Sequence, residues 1–348
     1  MKFDVVVGNP PYQESVSDSG SNQHDMPVYN YFYDLADKIS TNYELISPAR
    51  FLTGSGYTPK KWNKHMLNDK NLKIVYYNPQ SSEVFSNTDI KGGVVVISKN
   101  LKNNKAIEFF TPDPLLTRLA LKVIHNLNSK SIKDIMHVQT KMDLDAVYSD
   151  FPNFKNIRPK THIRDAALGT DSLTLFSDMF SEQKDDKHTI EIFGLLPGNK
   201  RSKKYINSKY ILLNDKTATK LDKYKVLVPK ASGSGRLGET ISSPIVRIPG
   251  MGHTMSFRSI GAFDSENEAN NLLKYIKTKF FRAMMGTLKT TQDMPPKVFS
   301  NIPLQDFTES SDIDWSKSIT EIDKQLYKKY HLNQEEIEFI ESKVKPME

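Results

Sequence analysis

The sequence predicts an α/β fold at its N-terminus, followed by an α+β region and a pair of C-terminal helices. Apolar, β-branched runs alternate with amphipathic helical patterns up to about residue 110, as expected of a sheet flanked by helices. Strand-like segments separated by Gly, Pro, Ser and Asn then continue to about residue 260, and helical patterns close the chain. A chain of 348 residues has room for more than one domain.

The first element is the apolar run 3–8, which predicts a buried parallel strand. Pro27 is expected to open a helix that ends at Ile39 and places Tyr31 and Leu35 at helical spacing. The other elements predicted here are strands at 43–47, 72–77 and 93–98, a helix from Pro59, and a segment at 106–110 that pairs beside the last strand.

A break is predicted at residues 111–114, where two prolines interrupt the pattern. Helices are expected after it at 115–127, 264–285, 318–330 and 333–344. The sequence therefore predicts three parts, which are residues 1–112, 113–310 and 311–348.

Composition excludes several classes of protein. The chain has no cysteine, so disulfides and thiolate zinc sites are excluded. Its eight histidines show no metal-ligand spacing, and no structural metal is expected. No run approaches 18 apolar residues, and no apolar leader with a cleavage site is found. We therefore expect a cytoplasmic protein.

Positive charge is concentrated in one internal block. Residues 200–260 hold 13 Lys and Arg against 3 Asp and Glu, whereas the net charge of the whole chain is +7. Such a block is typical of a surface that binds a polyanion, although a solvated basic face is the alternative. The candidate DNA-binding residues are Lys200, Arg201, Lys203, Lys204, Lys230, Arg236, Arg247 and Arg258.

The motif Asn9-Pro10-Pro11-Tyr12 follows the first predicted strand. Asn9 offers a carboxamide oxygen, and the two prolines favour an extended turn that leaves the Pro10 carbonyl free to accept a hydrogen bond. Tyr12 offers a flat face on which a base can stack. Together these groups could hold a planar NH2 group from two sides. The alternative is an ordinary surface turn without chemistry.

Several segments together resemble the γ-class DNA N6-adenine methyltransferases of single-chain restriction-modification enzymes. Residues 2–12 match the catalytic motif and its preceding strand, and this match is the specific one. Glu83-Val84-Phe85 with the strand at 93–97 resembles a later motif of the family. Weaker resemblances to the family's target recognition domain are found at 280–282, 289–292 and 301–304.

The resemblance implies a function and an architecture. Residues 1–112 would form the second half of a Rossmann-like methyltransferase sheet, and 113–310 an α+β domain that recognises double-stranded DNA. Asn9 and the Pro10 carbonyl would accept the two N6–H bonds of a flipped adenine, and Tyr12 and Phe85 would stack on its faces. For both aromatic residues, and most of all for Phe85, core packing is the alternative.

The methyl donor implied by the resemblance is S-adenosylmethionine. Family members bind it through strands that precede the catalytic motif, so we expect its main binding segments to lie outside these 348 residues. On that expectation the chain alone is inactive, and an upstream segment or a partner chain supplies the other half. A G-x-G-x-x-G run at 233–238 lacks the following helix that a cofactor site needs, so a basic loop near the DNA backbone is favoured.

Two further functions remain open at this point. The Asn-Pro-Pro-Tyr motif is also used by enzymes that methylate a glutamine side-chain amide in translation factors, although these carry the motif near their end. A specificity module that binds DNA without catalysis is the other alternative, because the cofactor half is not found in the sequence.

Overall fold

The structure is a computed structural model that describes residues 2–14, 26–126, 130–213 and 216–348. The chain divides into two compact units, Met1–Leu121 and Lys122–Glu348. The finer division into three parts at residues 112 and 310 stays a prediction.

The first unit is built around a four-stranded sheet. The strands of the unit are β1 (Val6–Gly8), β2 (Gln13–Glu14), β3 (Met26–Pro27), β4 (Tyr43–Pro48), β5 (Leu72–Asn78) and β6 (Val94–Lys99). The helices of the unit are α1 (Tyr29–Ile39), α2 (Lys60–Asn68) and the start of α3 (Pro114–His125). The sheet order is β1-β4-β6-β5, and β2 pairs separately with β3. β1 runs parallel to β4, whereas β6 is antiparallel to both β4 and β5.

This pairing aligns three strand ends. Because β6 is antiparallel to both of its neighbours, β5 runs in the same direction as β4 and β1. The segments that follow these three strands therefore emerge at one edge of the sheet. In open α/β sheets this edge is where ligands bind.

Aromatic packing forms the core of the first unit. Tyr29, Tyr33, Phe51 and Trp62 are buried together, and the rings of Phe51 and Trp62 lie 5.1 Å apart between centroids. The Tyr33 hydroxyl is 3.0 Å from the Ser47 hydroxyl and also donates to a carbonyl of β4. These contacts fix α1 and the turn after β4 against the sheet.

Three predictions for this unit need correction. The run 3–8 is not buried, because only residues 6–8 form a strand, which pairs with β4 on one side; Phe3, Val5 and Val7 are 49%, 55% and 72% exposed. The segment 106–110 is not a strand, since Glu108 has a φ of 60° and Phe109 donates back to Ile107. Helix α1 starts at Tyr29 and buries Tyr33 and Ala36 instead of Tyr31 and Leu35.

The second unit contains two further sheets. Its strands are β7 (Met136–His137), β8 (Phe180–Ser181), β9 (Ile190–Leu196), β10 (Lys200–Ile206), β11 (Tyr224–Pro229), β12 (Ile245–Arg247), β13 (Met251–His253) and β14 (Phe257–Phe263). One sheet has the order β13-β9-β10-β8 and the other β12-β11-β14-β7. The hairpin β9–β10 turns at Gly198 and Asn199, which have φ values of 77° and 60° and suit a tight turn.

Helices complete the second unit. They are α4 (Leu144–Asp150), α5 (Phe154–Ile157), α6 (Ser172–Leu175), α7 (Glu266–Lys277), α8 (Lys279–Gly286), α9 (Ile319–Lys329) and α10 (Gln334–Lys343). The predicted helix 264–285 is interrupted at Thr278, whose extended backbone and hydroxyl cap α8. The two C-terminal helices are confirmed, and capping boxes at Ser318 and Asn333 set their starts. Residue 127, the predicted end of α3, lies outside the described residues.

Candidate functional site

The Asn9–Tyr12 segment directly follows β1, at the edge of the first unit's sheet where β1, β4 and β5 end. Asn9 is exposed, and Pro10 is buried beneath it. Within the described part of the chain, neither the Asn9 carboxamide nor the Pro10 carbonyl has a hydrogen-bond partner. Two adjacent acceptors are therefore free to bind a ligand.

Tyr12 is anchored beside these acceptors. Its ring is half-buried and packs against the aromatic core, while its backbone carbonyl accepts a hydrogen bond from the Val28 N–H at 3.2 Å. The hydroxyl is buried without a partner in the described residues, and burial raises its pKa. Tyr12 is therefore fixed on one side and neutral at physiological pH.

Phe85 lies in the loop 79–93, which joins β5 to β6 and leaves the sheet at the same edge. Its N–H donates to the Ser81 carbonyl at 2.8 Å, and its carbonyl accepts from the Thr88 hydroxyl at 2.8 Å. The ring is half-buried and makes no ring contact with Tyr12. The structure places Tyr12 and Phe85 on loops at one edge without bringing their rings into contact.

Arg50 is a residue at this edge that the sequence analysis missed. It lies in the short turn Ala49–Thr53 immediately after β4. Its guanidinium donates to the Gln13 side chain, which directly follows Tyr12, at 3.4 Å. The only signal in the sequence was its position after a strand parallel to the first one, which no motif marks.

Five of the eight basic candidates in the second unit have partners within the protein. Arg201 donates to the carbonyls of Ser242 and Ser243, each at 2.7 Å. Arg247 stacks 4.0 Å from the Phe193 ring centre, and it lies 3.8 Å from the buried Glu191 carboxylate. The others are Lys203, which pairs with Glu191, Lys204, which pairs with Glu182, and Arg258, whose half-buried charge is close to Asp293.

The remaining three candidates are Lys200, Lys230 and Arg236. Lys200 and Arg236 are exposed, and Lys230 is half-buried. None of the three has a side-chain partner among the residues that the structure describes. Lys230 lines a groove of about 740 Å³ together with Asn199, Arg201, Phe257 and Gln292. This groove offers both positive charge and side chains that can donate and accept hydrogen bonds.

The glycine run 233–238 is filled by a side chain of the protein. No helix follows it, and the Glu239 carboxylate accepts bonds from the Ser234 N–H and hydroxyl, both at 2.8 Å. Burial raises the pKa of Glu239, but these bonds and the nearby Lys289 charge outweigh that effect and lower the pKa to about 2. The run therefore does not fit a cofactor phosphate or carboxylate.

Two further features are absent from the described residues. No group of three or more His, Asp or Glu side chains is arranged there to hold a metal ion. No described helix is both long and apolar enough to cross a membrane.

Comparison with known proteins gives one match to a family model. Residues 1–85 match the model of the Eco57I restriction-modification methylase family. This segment holds Asn9–Tyr12, Arg50 and Phe85, and the match supports a methylase of the restriction-modification type. No curated protein matches the chain.

Two solved structures are similar at low identity. The type IIG restriction endonuclease BpuSI shares 14% identity at a TM-score of 0.31, with 92% of this chain and 48% of that chain covered. The type IIL restriction-modification enzyme MmeI, solved in complex with DNA, shares 9% identity at a TM-score of 0.37, with 98% and 56% covered. The chain thus spans about half the length of each structure.

Proposed function

We propose that this chain carries the catalytic edge and the DNA-recognition part of a site-specific DNA adenine N6-methyltransferase of the γ class. The observation that carries the proposal is a pair of acceptors without partners among the described residues, Asn9 Oδ1 and the Pro10 carbonyl oxygen, at the edge where β1 ends. The family match over residues 1–85 supports the methylase assignment.

The proposed role of this site is to position the amino group of an adenine for methylation. An adenine flipped out of the duplex would donate one N6–H bond to Asn9 and the other to Pro10. Two acceptors on one side would direct the nitrogen lone pair away from the protein backbone, towards the incoming methyl group. Tyr12 would stack on the base, and Phe85 would close its other face. Such catalysis relies on orientation and electrostatics and needs no separate general base.

Double-stranded DNA is the proposed partner of the second unit. Of the eight basic candidates, Lys200, Lys230 and Arg236 have no side-chain partner among the described residues and would contact phosphates, whereas Arg201 and Arg247 are held by internal contacts. The groove beside Lys230 offers Asn199 and Gln292 for contacts to base edges.

The proposed cofactor is S-adenosylmethionine, as for methylases in general. Within the described residues, the glycine run 233–238 is the candidate that the sequence offered for its site, and Glu239 already occupies the backbone N–H groups there. The described residues of this run do not fit the cofactor.

The proposal is tested with the natural locus transferred to a host that lacks adenine methylation. We expect N6-methyladenine in the host DNA, at one sequence context. Asn9→Ala should lower it by orders of magnitude while DNA affinity stays nearly unchanged, because this bond matters chiefly to the reacting nitrogen. Asn104→Ala, at an exposed position without a described partner, is the matched control and should have no effect.

Other outcomes would reject the proposal in favour of an alternative. Methylated glutamine in a translation factor, with unmodified DNA, would identify a protein methyltransferase. DNA binding without N6-methyladenine from the wild-type locus would leave a specificity module. Equal losses of DNA affinity and methylation in Asn9→Ala would make Asn9 a structural residue.

A further inference from the structure

Arg50 lies between two segments of the proposed methylation site. Its guanidinium contacts Gln13, the residue after Tyr12. On its other side, the N–H of the preceding residue, Ala49, donates to the Gly93 carbonyl at 2.9 Å, at the end of the loop that carries Phe85. Arg50 is therefore held at the sheet edge by both loops.

The stem of Arg50 is tightly enclosed. A Cβ atom at Gly56 would lie 2.6 Å from the Arg50 Cδ atom, and the φ of Gly56 is 88°. A side chain at position 56 would be strained at this φ and would displace the Arg50 stem, so the glycine leaves room for it. Such packing fixes the direction of the side chain and reduces the entropy lost when its head group binds a ligand.

Among the residues that the structure describes, the charge of Arg50 has no counter-ion. No carboxylate of the described residues forms an ion pair with it, and its Nε atom is buried without a hydrogen-bond partner. The contact to the neutral Gln13 side chain is long, at 3.4 Å. A fixed, partly buried guanidinium with spare donors is suited to an oxyanion, which it can bind through two parallel hydrogen bonds.

We propose that Arg50 binds a backbone phosphate of the nucleotide that is presented to Asn9. The inference rests on the proposed function, because a nucleotide held at Asn9 brings its phosphates to the same sheet edge. Arg50 is on this view a positioning residue. It holds the sugar–phosphate while Asn9 and Pro10 hold the base, so the extruded nucleotide is bound at both ends.

The test measures how DNA affinity of the full chain depends on salt. Arg50→Gln keeps part of the stem and removes the charge. We expect the slope of log affinity against log salt to fall by about 0.9, the value for one phosphate contact. Affinity at low salt should fall by about tenfold, the loss expected for one charge-assisted hydrogen bond. Arg50→Lys should retain the slope, because it retains the charge.

A matched control separates a contact from a general loss of charge. Lys38 is exposed in the last turn of α1, next to Ile39, whose carbonyl bonds to Phe3 at the opposite end of β1 from Asn9. Lys38→Gln removes the same charge and should leave the slope unchanged. A thermal melt of each variant shows whether the fold is kept.

The outcomes distinguish this inference from the proposed function. If the wild-type chain binds DNA but the slope of Arg50→Gln equals those of the wild type and of Lys38→Gln, Arg50 does not contact a phosphate. A loss of affinity for S-adenosylmethionine with an unchanged DNA slope would assign Arg50 to the carboxylate of the methyl donor and overturn the inference. Absence of DNA binding by the wild-type chain would instead reject the proposed function itself.

Discussion

The carboxylate of Glu239 accepts a hydrogen bond from the backbone N–H of Gly235 at 3.1 Å. Gly235 has a φ of 103°, and a Cβ atom there would lie 2.5 Å from the backbone of Thr290 and Thr291. The glycine thus serves close backbone packing, and the N–H groups that it exposes are used by a side chain four residues later. A run with the spacing of a cofactor motif is here a self-contained turn.

Glu239 should make the stability of the protein depend on pH in acid. Its pKa is about 2 in the folded protein against 4.5 for an ordinary glutamate. Its contribution is therefore complete above pH 4.5 and is lost as the pH falls towards 2. Glu239→Gln should lower the melting temperature at neutral pH and lose less stability than wild type on acidification. Glu309→Gln, at an exposed position, is the control, and its melting temperature should follow that of the wild type over the same pH range.

Lys225 should make the stability of the protein depend on pH in the alkaline range. Its ammonium is fully buried in β11 and donates to the carbonyls of Lys220 and Lys223 at 2.6 and 2.9 Å. Burial lowers its pKa to about 8, with Asp222 opposing the shift. Between about pH 8 and 10.5 the unfolded chain binds a proton at Lys225 that the folded chain does not bind. The free energy of unfolding therefore rises with pH over this range.

Lys225→Met isolates this effect. We expect the wild-type denaturation midpoint to rise, relative to that of Lys225→Met, as the pH increases from about 8 to 10.5. Lys297→Met, at an exposed position, is the control and should follow wild type. A constant difference between wild type and Lys225→Met over this range would contradict the prediction.

The start of α9 offers a test of local stability. The Ser318 hydroxyl accepts from the Glu321 N–H, and the Glu321 carboxylate accepts from the Ser318 N–H. Ser318→Ala removes one half of this capping box and should cost about 1 kcal/mol of unfolding free energy. Thr320→Ala, exposed within the same helix, should cost little or nothing. Urea denaturation of the two variants measures the difference.

The sequence predicted those features of the fold that local chemistry determines. The starts of β4, β5 and β6 were predicted within one residue, because turn residues bound these short segments. The starts of the two C-terminal helices were also predicted within one residue. Burial of residues 3–8 was predicted wrongly, since it depends on which strands lie beside β1. Which strands pair with a given strand depends on the tertiary structure and cannot be predicted from an apolar run alone.

The candidate site was predictable to a similar extent. Asn9, Pro10 and Tyr12 form a contiguous motif, whereas Arg50 is brought to them by parallel pairing of β1 with β4 and carries no local signal. The count of positive charges over residues 200–260 also could not distinguish buried or paired cations from free ones. It includes Lys225, which is fully buried, and lysines whose charges are matched by Glu182 or Glu191. Only contacts in three dimensions separate these from the free cations.

That separation gives the last prediction, which compares Arg236 with Arg201. Arg236 is exposed and has no described partner, so Arg236→Gln should lower the salt slope of DNA binding by about 0.9 and leave the melting temperature unchanged. Arg201 holds the carbonyls of Ser242 and Ser243 and stacks 5.5 Å from the centre of the Phe257 ring. Arg201→Gln should therefore cost about 1 kcal/mol of stability and change the slope less.

Both variants lose one positive charge from the same unit, so each is the control for the other. The measurements are a thermal melt and a salt titration of binding to duplex DNA, made on both proteins below their melting temperatures. A reversed pattern, with Arg201→Gln lowering the slope at full stability and Arg236→Gln lowering the melting temperature alone, would contradict the assignment. It would mean that the guanidinium of Arg201 leaves its two carbonyls when DNA binds, and that exposure in the free protein is a poor guide to which cations reach the phosphates.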